Sequence, residues 1–139
     1  MTTVVTGTIG TDAHSMGLRV LEYALRQAGY HVVSLGVEAT AAEFVDAARE
    51  SKASVICISS LSGHAEYDCA DLRDICNESG LSGILLYIGG NLAVGPVPWE
   101  QVEAKFKQLG FDHVYSPETT PNQAIADLEK DLTRKKAEH

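Results

Sequence analysis

Five short runs rich in β-branched and apolar residues alternate with amphipathic segments along the chain, and this alternation restricts the fold more than any other feature. Strands are expected at Thr3–Thr8, His31–Leu35, Val55–Ser59, Ile84–Ile88 and His113–Tyr115. Between them, helices are expected over Met16–Ala28, Glu66–Ser79 and Trp99–Leu109. Another opens at the capping box Thr40-Ala-Ala-Glu43 and runs to about Glu50; the last starts at Thr120-Pro121 and runs to about Arg134. Leu18, Leu21 and Leu25 recur at helical spacing, and glycines 29, 80 and 110 stand where left-handed C-terminal caps belong. Val55–Ser59 is a continuous apolar run, as in a strand buried on both faces. Such alternation builds a parallel sheet with helices on both sides. Five units fit a flavodoxin-like (Rossmann-like) doubly wound α/β fold.

The 139 residues show no linker, low-complexity segment or internal boundary, so residues 1–139 are expected to form a single domain. A formal charge of −8 argues against nucleic acid or an anionic membrane as the main partner. The one basic cluster, Arg134-Lys135-Lys136, reads as a solvated tail. The start, MTTVVTGTIG, has no basic stretch before its apolar residues, and no run of about 18 apolar residues exists to span a membrane. Three cysteines with no CxxC or CxxxxH spacing suit a reducing, cytoplasmic setting. Cys57 is expected in the core, and Cys69 and Cys76, seven apart, on one helix face.

In a doubly wound sheet, ligands bind beyond the carboxyl ends of the strands. The segments there are Gly7–Ser15, Gly36–Ala39, Ser60–Ala65, Gly89–Pro98 and Ser116–Thr120. They hold much of the glycine and proline, together with His14 and His64. His31 and His113 begin strands and read as satisfied edge residues, and Tyr87 and Trp99 as sheet and helix packing. The first segment, Gly7-Thr-Ile-Gly-Thr-Asp12-Ala-His14-Ser-Met-Gly17, admits two readings. One is a glycine- and threonine-rich loop cradling a phosphate at a helix start, although Asp12 places a negative charge there. The other pairs Asp12 with His14: a neutral imidazole ligates transition metals, and a carboxylate on its other N–H fixes the tautomer. Gly17 then leaves room for a bulky ligand.

Asp12-Ala-His14-Ser-Met-Gly17 resembles the DxHxxG motif of cobalamin-dependent mutases and methyltransferases. Ser59-Ser60-Leu61 after the third strand and Gly89-Gly90-Asn91 after the fourth resemble that family's later elements, in the same order. The resemblance extends from about Val4 to Leu132. It is strongest to the free-standing small subunits of glutamate (methylaspartate) mutase, since with a first strand expected at Thr3 the helical cap of the corrinoid methyltransferases is not expected. It implies adenosylcobalamin bound with its nucleotide base displaced and His14 as the axial ligand to cobalt. It puts Thr11, Asp12, Ala13, His14, Ser15 and Gly17 at the lower face of the cofactor. Ser59, Ser60, Leu61, Gly89, Gly90, Asn91, Leu92, Ala93, Val94 and Gly95 are put around the nucleotide tail. His64 is left outside the site.

The activity so implied is the radical rearrangement of L-glutamate to L-threo-3-methylaspartate, shared with a large catalytic subunit in a heterotetramer of two small and two large chains. Arg19, Arg26, Arg49 and Arg73 fall on expected helices rather than in the ligand segments, so the substrate carboxylates are expected to be held by the partner. The alternative is a corrinoid carrier, or the cobalamin subunit of a related mutase or methyltransferase, using the same His14 site. A receiver domain fits poorly, because the third strand ends in Ser59 rather than an aspartate and Asp12 has no acidic neighbour. A flavodoxin wants aromatic walls, and aromatics are 6% of the chain.

Overall fold

The computed structural model describes residues 2–9, 16–60, 67, 69–90, 92, 97–116 and 119–137. Strands β1 (Thr3–Gly7), β2 (His31–Ser34), β3 (Val55–Ser60), β4 (Leu85–Gly90) and β5 (His113–Tyr115) form one parallel sheet in the order β2-β1-β3-β4-β5. The helices among the described residues are α1 (Met16–Gln27), α2 (Ala41–Ser51), α3 (Leu72–Glu78), α4 (Trp99–Gln108) and α5 (Pro121–Ala137). This is the flavodoxin-like winding the alternating pattern predicts, with the order reversing beside β1.

Strand periodicity sorts the core into two layers. Val4, Val55, Cys57, Leu85 and Tyr87 pack against Leu25 of α1 and Ile125 and Leu128 of α5. The alternate residues Val5, Ile56, Ile58, Leu86 and Ile88 pack on the other face with Phe44 of α2, Leu72 and Cys76 of α3, and Phe106 of α4. Fully burying one such side chain contributes about 1.5–3 kcal/mol.

The capping box is present: the Glu43 amide donates to Thr40 Oγ1, and the Thr40 amide to Glu43 Oε1, each at 3.1 Å. The glycine stops also hold, with φ of 96° at Gly29, 81° at Gly80 and 105° at Gly110. Two helices differ from expectation. The helix expected over Glu66–Ser79 is interrupted: Tyr67 is helical, residues 69–71 form a turn closed by Leu72 N–H to the Cys69 carbonyl at 3.1 Å, and α3 follows from Leu72. Cys69 therefore sits in that turn, yet both it and Cys76 are fully buried in one cluster. The last helix runs on to Ala137, held late in its course by Lys135 donating to the Gly83 carbonyl.

At the amino ends of β4 and β5, Arg73 ties α3 to the sheet. Its guanidinium donates to the Gly110 carbonyl at 2.7 and 3.0 Å, the Ile84 carbonyl at 2.9 Å and Asp112 Oδ2 at 3.1 Å. The same Asp112 oxygen accepts the Leu86 amide at 2.8 Å. No described helix is long and apolar enough to cross a membrane.

Candidate functional site

The sheet register, more than the loops, builds the site. β3 and β4 run past their expected ends at Ser59 and Ile88, so Ser60 and Gly89-Gly90 are strand residues rather than loop residues. Ser59 pairs with Gly89, Gly89 with Tyr115, and Ser60 with Gly90. One row earlier, Thr6, Cys57, Tyr87 and His113 stand in register across four strands. By the alternation of the strands, both the Cys57–Tyr87–His113 row and the Ser59–Gly89–Tyr115 row face α1 and α5.

A cavity of about 320 Å³ opens on that face, at the carboxyl ends of β3 and β4. Cys57 and Tyr87 floor it, and Ser59, Gly89 and Tyr115 form the next row outward. Val20 and Leu21 of α1 line one side, Pro121 and Ala124 of α5 the other, with Ser116, Thr119 and Thr120 beyond β5. Gly89 helps keep the space open: a Cβ there would meet Tyr115 Cβ at 3.2 Å. Gly90 is constrained differently. Its φ is 113°, and a Cβ would collide with the Ser60 carbonyl oxygen, so only glycine lets β4 lie this close to β3.

The helices that wall the cavity are joined to the sheet by buried and half-buried carboxylates. The Thr6 hydroxyl donates to Glu22 of α1 at 2.5 Å, with both residues buried. The Tyr87 hydroxyl donates to Asp131 at 2.5 Å, and the Tyr115 hydroxyl to Asp127 at 2.7 Å, both on α5. His113 Nε2 lies 3.0 Å from Asp131 Oδ2, and the His113 ring stacks on Tyr115 with centroids 5.9 Å apart. Burial, then the hydrogen bond and charge of the aspartate partner, push both tyrosines well above the ordinary phenol range. Burial alone pushes the Cys57 thiol up to about 12, so it stays protonated and unreactive at neutral pH.

The expected site residues divide accordingly. Ser59, Gly89 and Gly90 come together at the cavity. Ser60 is fully buried on the opposite face, where its hydroxyl has no hydrogen-bond partner among the described residues. Leu92 is buried in the core on that same side. Gly17 lies in the first turn of α1. Thr11, Asp12, Ala13, His14, Ser15, Leu61, Asn91, Ala93, Val94 and Gly95 lie outside the described residues, as does His64.

The described residues just before the Asp12–His14 stretch are fixed. Thr8 N–H donates to the Gly36 carbonyl, and the Ala39 and Glu38 amides donate back to Thr8, its carbonyl and its hydroxyl, at 2.9–3.0 Å. Sequence reasoning read Cys57 and Tyr87 as core and sheet packing; both also floor the cavity. The available signal was period two: each lies two residues before a residue of the motif, Ser59 or Gly89.

The chain matches the B12 binding domain family over residues 2–126. It is 50% identical over 130 residues to the glutamate mutase sigma subunit of Clostridium cochlearium, covering 94% of this chain and 95% of that one. It is 49% identical over 138 residues to glutamate mutase sigma subunit 2 of Haloarcula marismortui, covering 99% and 93%. A crystal structure of a cobalamin-binding protein from Desulfitobacterium hafniense superposes with a TM-score of 0.75 at 21% identity, over 93% of this chain and 58% of that one. That last likeness speaks for the fold.

Proposed function

The chain belongs to the glutamate mutase sigma subunit family and is a subunit of a cobalamin-dependent mutase; from that premise we propose that it carries adenosylcobalamin with the nucleotide base off cobalt and His14 in its place. The reaction served is the rearrangement of L-glutamate to L-threo-3-methylaspartate, completed by a large catalytic subunit in a two-plus-two assembly. Its setting is the cytoplasm, in keeping with three buried free cysteines.

One observation supports this reading above the others: the cavity that Gly89 leaves open at the carboxyl ends of β3 and β4. Its volume lies near the lower bound of the about 300–1,000 Å³ usual for small-molecule sites. That size suits the flat nucleotide tail of a larger ligand whose remaining bulk lies outside. The fit is chemical as well, with an apolar floor for an aromatic base and hydroxyls along the outer row for ribose and phosphate oxygens. When bound, the cofactor supplies the radical chemistry.

The chain's own residues bind and orient. Ser59 is placed to hydrogen-bond the base, and Gly89 and Gly90 admit the tail close to the backbone. Leu61, Asn91, Ala93, Val94 and Gly95 would complete its surroundings, whereas Ser60 and Leu92 are buried on the opposite face of the sheet. Asp12 would hold the His14 imidazole in the tautomer suited to ligating cobalt, and Thr11, Ala13, Ser15 and Gly17 would help hold the corrinoid. His14 moves no proton.

The test is reconstitution. The chain with adenosylcobalamin should be inactive on L-glutamate alone and should form 3-methylaspartate when mixed with a glutamate mutase large subunit. Methyl transfer in place of isomerisation would assign the chain to the corrinoid carriers.

A further inference from the structure

A second concavity lies at the amino ends of β4 and β5, at the opposite end of the sheet from the cavity described above. It is an open groove of about 760 Å³, to which α3 contributes Arg73 and Asn77, α4 contributes Lys107, and α5 contributes Arg134 and Lys135. We propose that this groove is a separate binding site for an oligophosphate, either free or as the phosphate chain of a nucleotide.

The groove runs against the charge of the chain. The protein carries a formal net charge of −8, yet the lining sets four cations against one carboxylate, Asp112, an excess of three positive charges. Asp131, behind the lining, reaches Arg134 at 3.4 Å and offsets part of one of them. Like charges gathered from three helices repel one another until an anion joins them. Two of the cations are held in place. Arg73 makes four hydrogen bonds, to Gly110, Ile84 and Asp112, which leaves one of the N–H groups of its guanidinium unused. Lys135 is drawn to the Gly83 carbonyl, so the basic cluster that reads as a solvated tail is partly folded back onto the groove. The side chains of Lys107, Asn77 and Ser82 have no partner among the described residues, and their donors are open to a ligand. Ile84, Leu85 and Phe111 lie buried beneath, so recognition here rests on charge and hydrogen bonds rather than on an apolar slot. A single carboxylate would bring one charge. Pyrophosphate brings about three, on oxygens that accept strongly from arginine and lysine, and its linked phosphoryl groups can reach cations on different helices.

The experiment titrates the full chain calorimetrically with sodium pyrophosphate, sodium triphosphate, ATP and, as a control for charge alone, sulfate. The titrations use about 0.15 M chloride, to screen loose surface attraction, and no divalent cation. Pyrophosphate and triphosphate should bind at least about tenfold more tightly than sulfate and should raise the unfolding temperature. Lys107→Gln and Lys135→Gln, with Arg73 kept because it ties α3 to the sheet, should each weaken pyrophosphate about tenfold. Arg19→Gln, which removes the same charge from the start of α1, should leave the affinity unchanged. Tighter binding of ATP than of triphosphate assigns the site to a nucleotide, and equal or weaker binding to the free oligophosphate; both uphold it. No saturable binding of any phosphate, affinities no better than that of sulfate, or a pyrophosphate affinity unmoved by both lysine replacements or equally reduced by Arg19→Gln would overturn it.

Discussion

The Tyr87 hydroxyl donates a 2.5 Å hydrogen bond to Asp131 Oδ2, joining the floor of the cavity to the helix that walls it. Both residues are buried, and the same carboxylate oxygen lies 3.0 Å from His113 Nε2. Tyr87→Phe removes a hydrogen bond to a buried charge while keeping the ring on the floor. It should cost about 1.5–3 kcal/mol in urea unfolding, with cobalamin affinity changed less than tenfold because the cavity keeps its shape.

The buried groups also fix how stability responds to alkali. Cys57 ionises at an ordinary 9.0 when unfolded and at about 12 when folded. Above pH 9 the unfolded chain loses this proton before the folded one does, so the contribution is complete below 9 and declines between 9 and 12. The full span corresponds to about 4 kcal/mol. Tyr87 and Tyr115, also raised, add to the decline above pH 10. Denaturant melts across this range should show the fall, and Cys57→Ala should flatten its first part.

Adjacent glycines should fail in different ways. Gly89→Ala points a methyl into the cavity against Tyr115 Cβ at 3.2 Å. The fold should survive with a shift within about 1 kcal/mol, while cobalamin affinity drops about tenfold or more. Gly90→Ala meets the Ser60 carbonyl at a φ of 113° and should lose about 3 kcal/mol or more of stability. Paired thermal melts and cofactor titrations separate the two.

Arg73 provides the contrast at the other end of the sheet. Arg73→Ala leaves the Gly110 and Ile84 carbonyls without its donors and opens the bridge to Asp112. A loss of about 2–3 kcal/mol is expected in denaturant melts, with unchanged cobalamin affinity per folded molecule, since these contacts lie at the amino ends of the strands.

The winding was legible in the chain because strand and helix periods alternate cleanly and because the capping box and glycine stops punctuate them. The exact ends of β3 and β4 were not. Ser60 and the two glycines read locally as loop, whereas pairing of Ser59 with Gly89 and Ser60 with Gly90 keeps them in the sheet. The helix expected from Glu66 is broken at residues 69–71 for a similar tertiary reason: Cys69 is drawn wholly into the core and the chain turns there before α3. The cavity itself was half legible. Ser59 and Gly89 were marked by motif resemblance, but Cys57 and Tyr87 lie inside apolar runs and carry no local mark of a ligand surface. Their role emerges only from cross-strand register. The long-range carboxylate contacts of Thr6, Tyr87 and Tyr115 are likewise products of packing.

His14 coordination is tested most directly by electron paramagnetic resonance of the Co(II) cobalamin complex, prepared with nitrogen-14 and with nitrogen-15 histidine. A histidine nitrogen on cobalt splits each resolved cobalt line into three with nitrogen-14, and into two with nitrogen-15. The account predicts that change on labelling and its loss in His14→Ala. A three-line pattern that persists in the labelled protein would mean that the cofactor's own base remains on cobalt, and would contradict it.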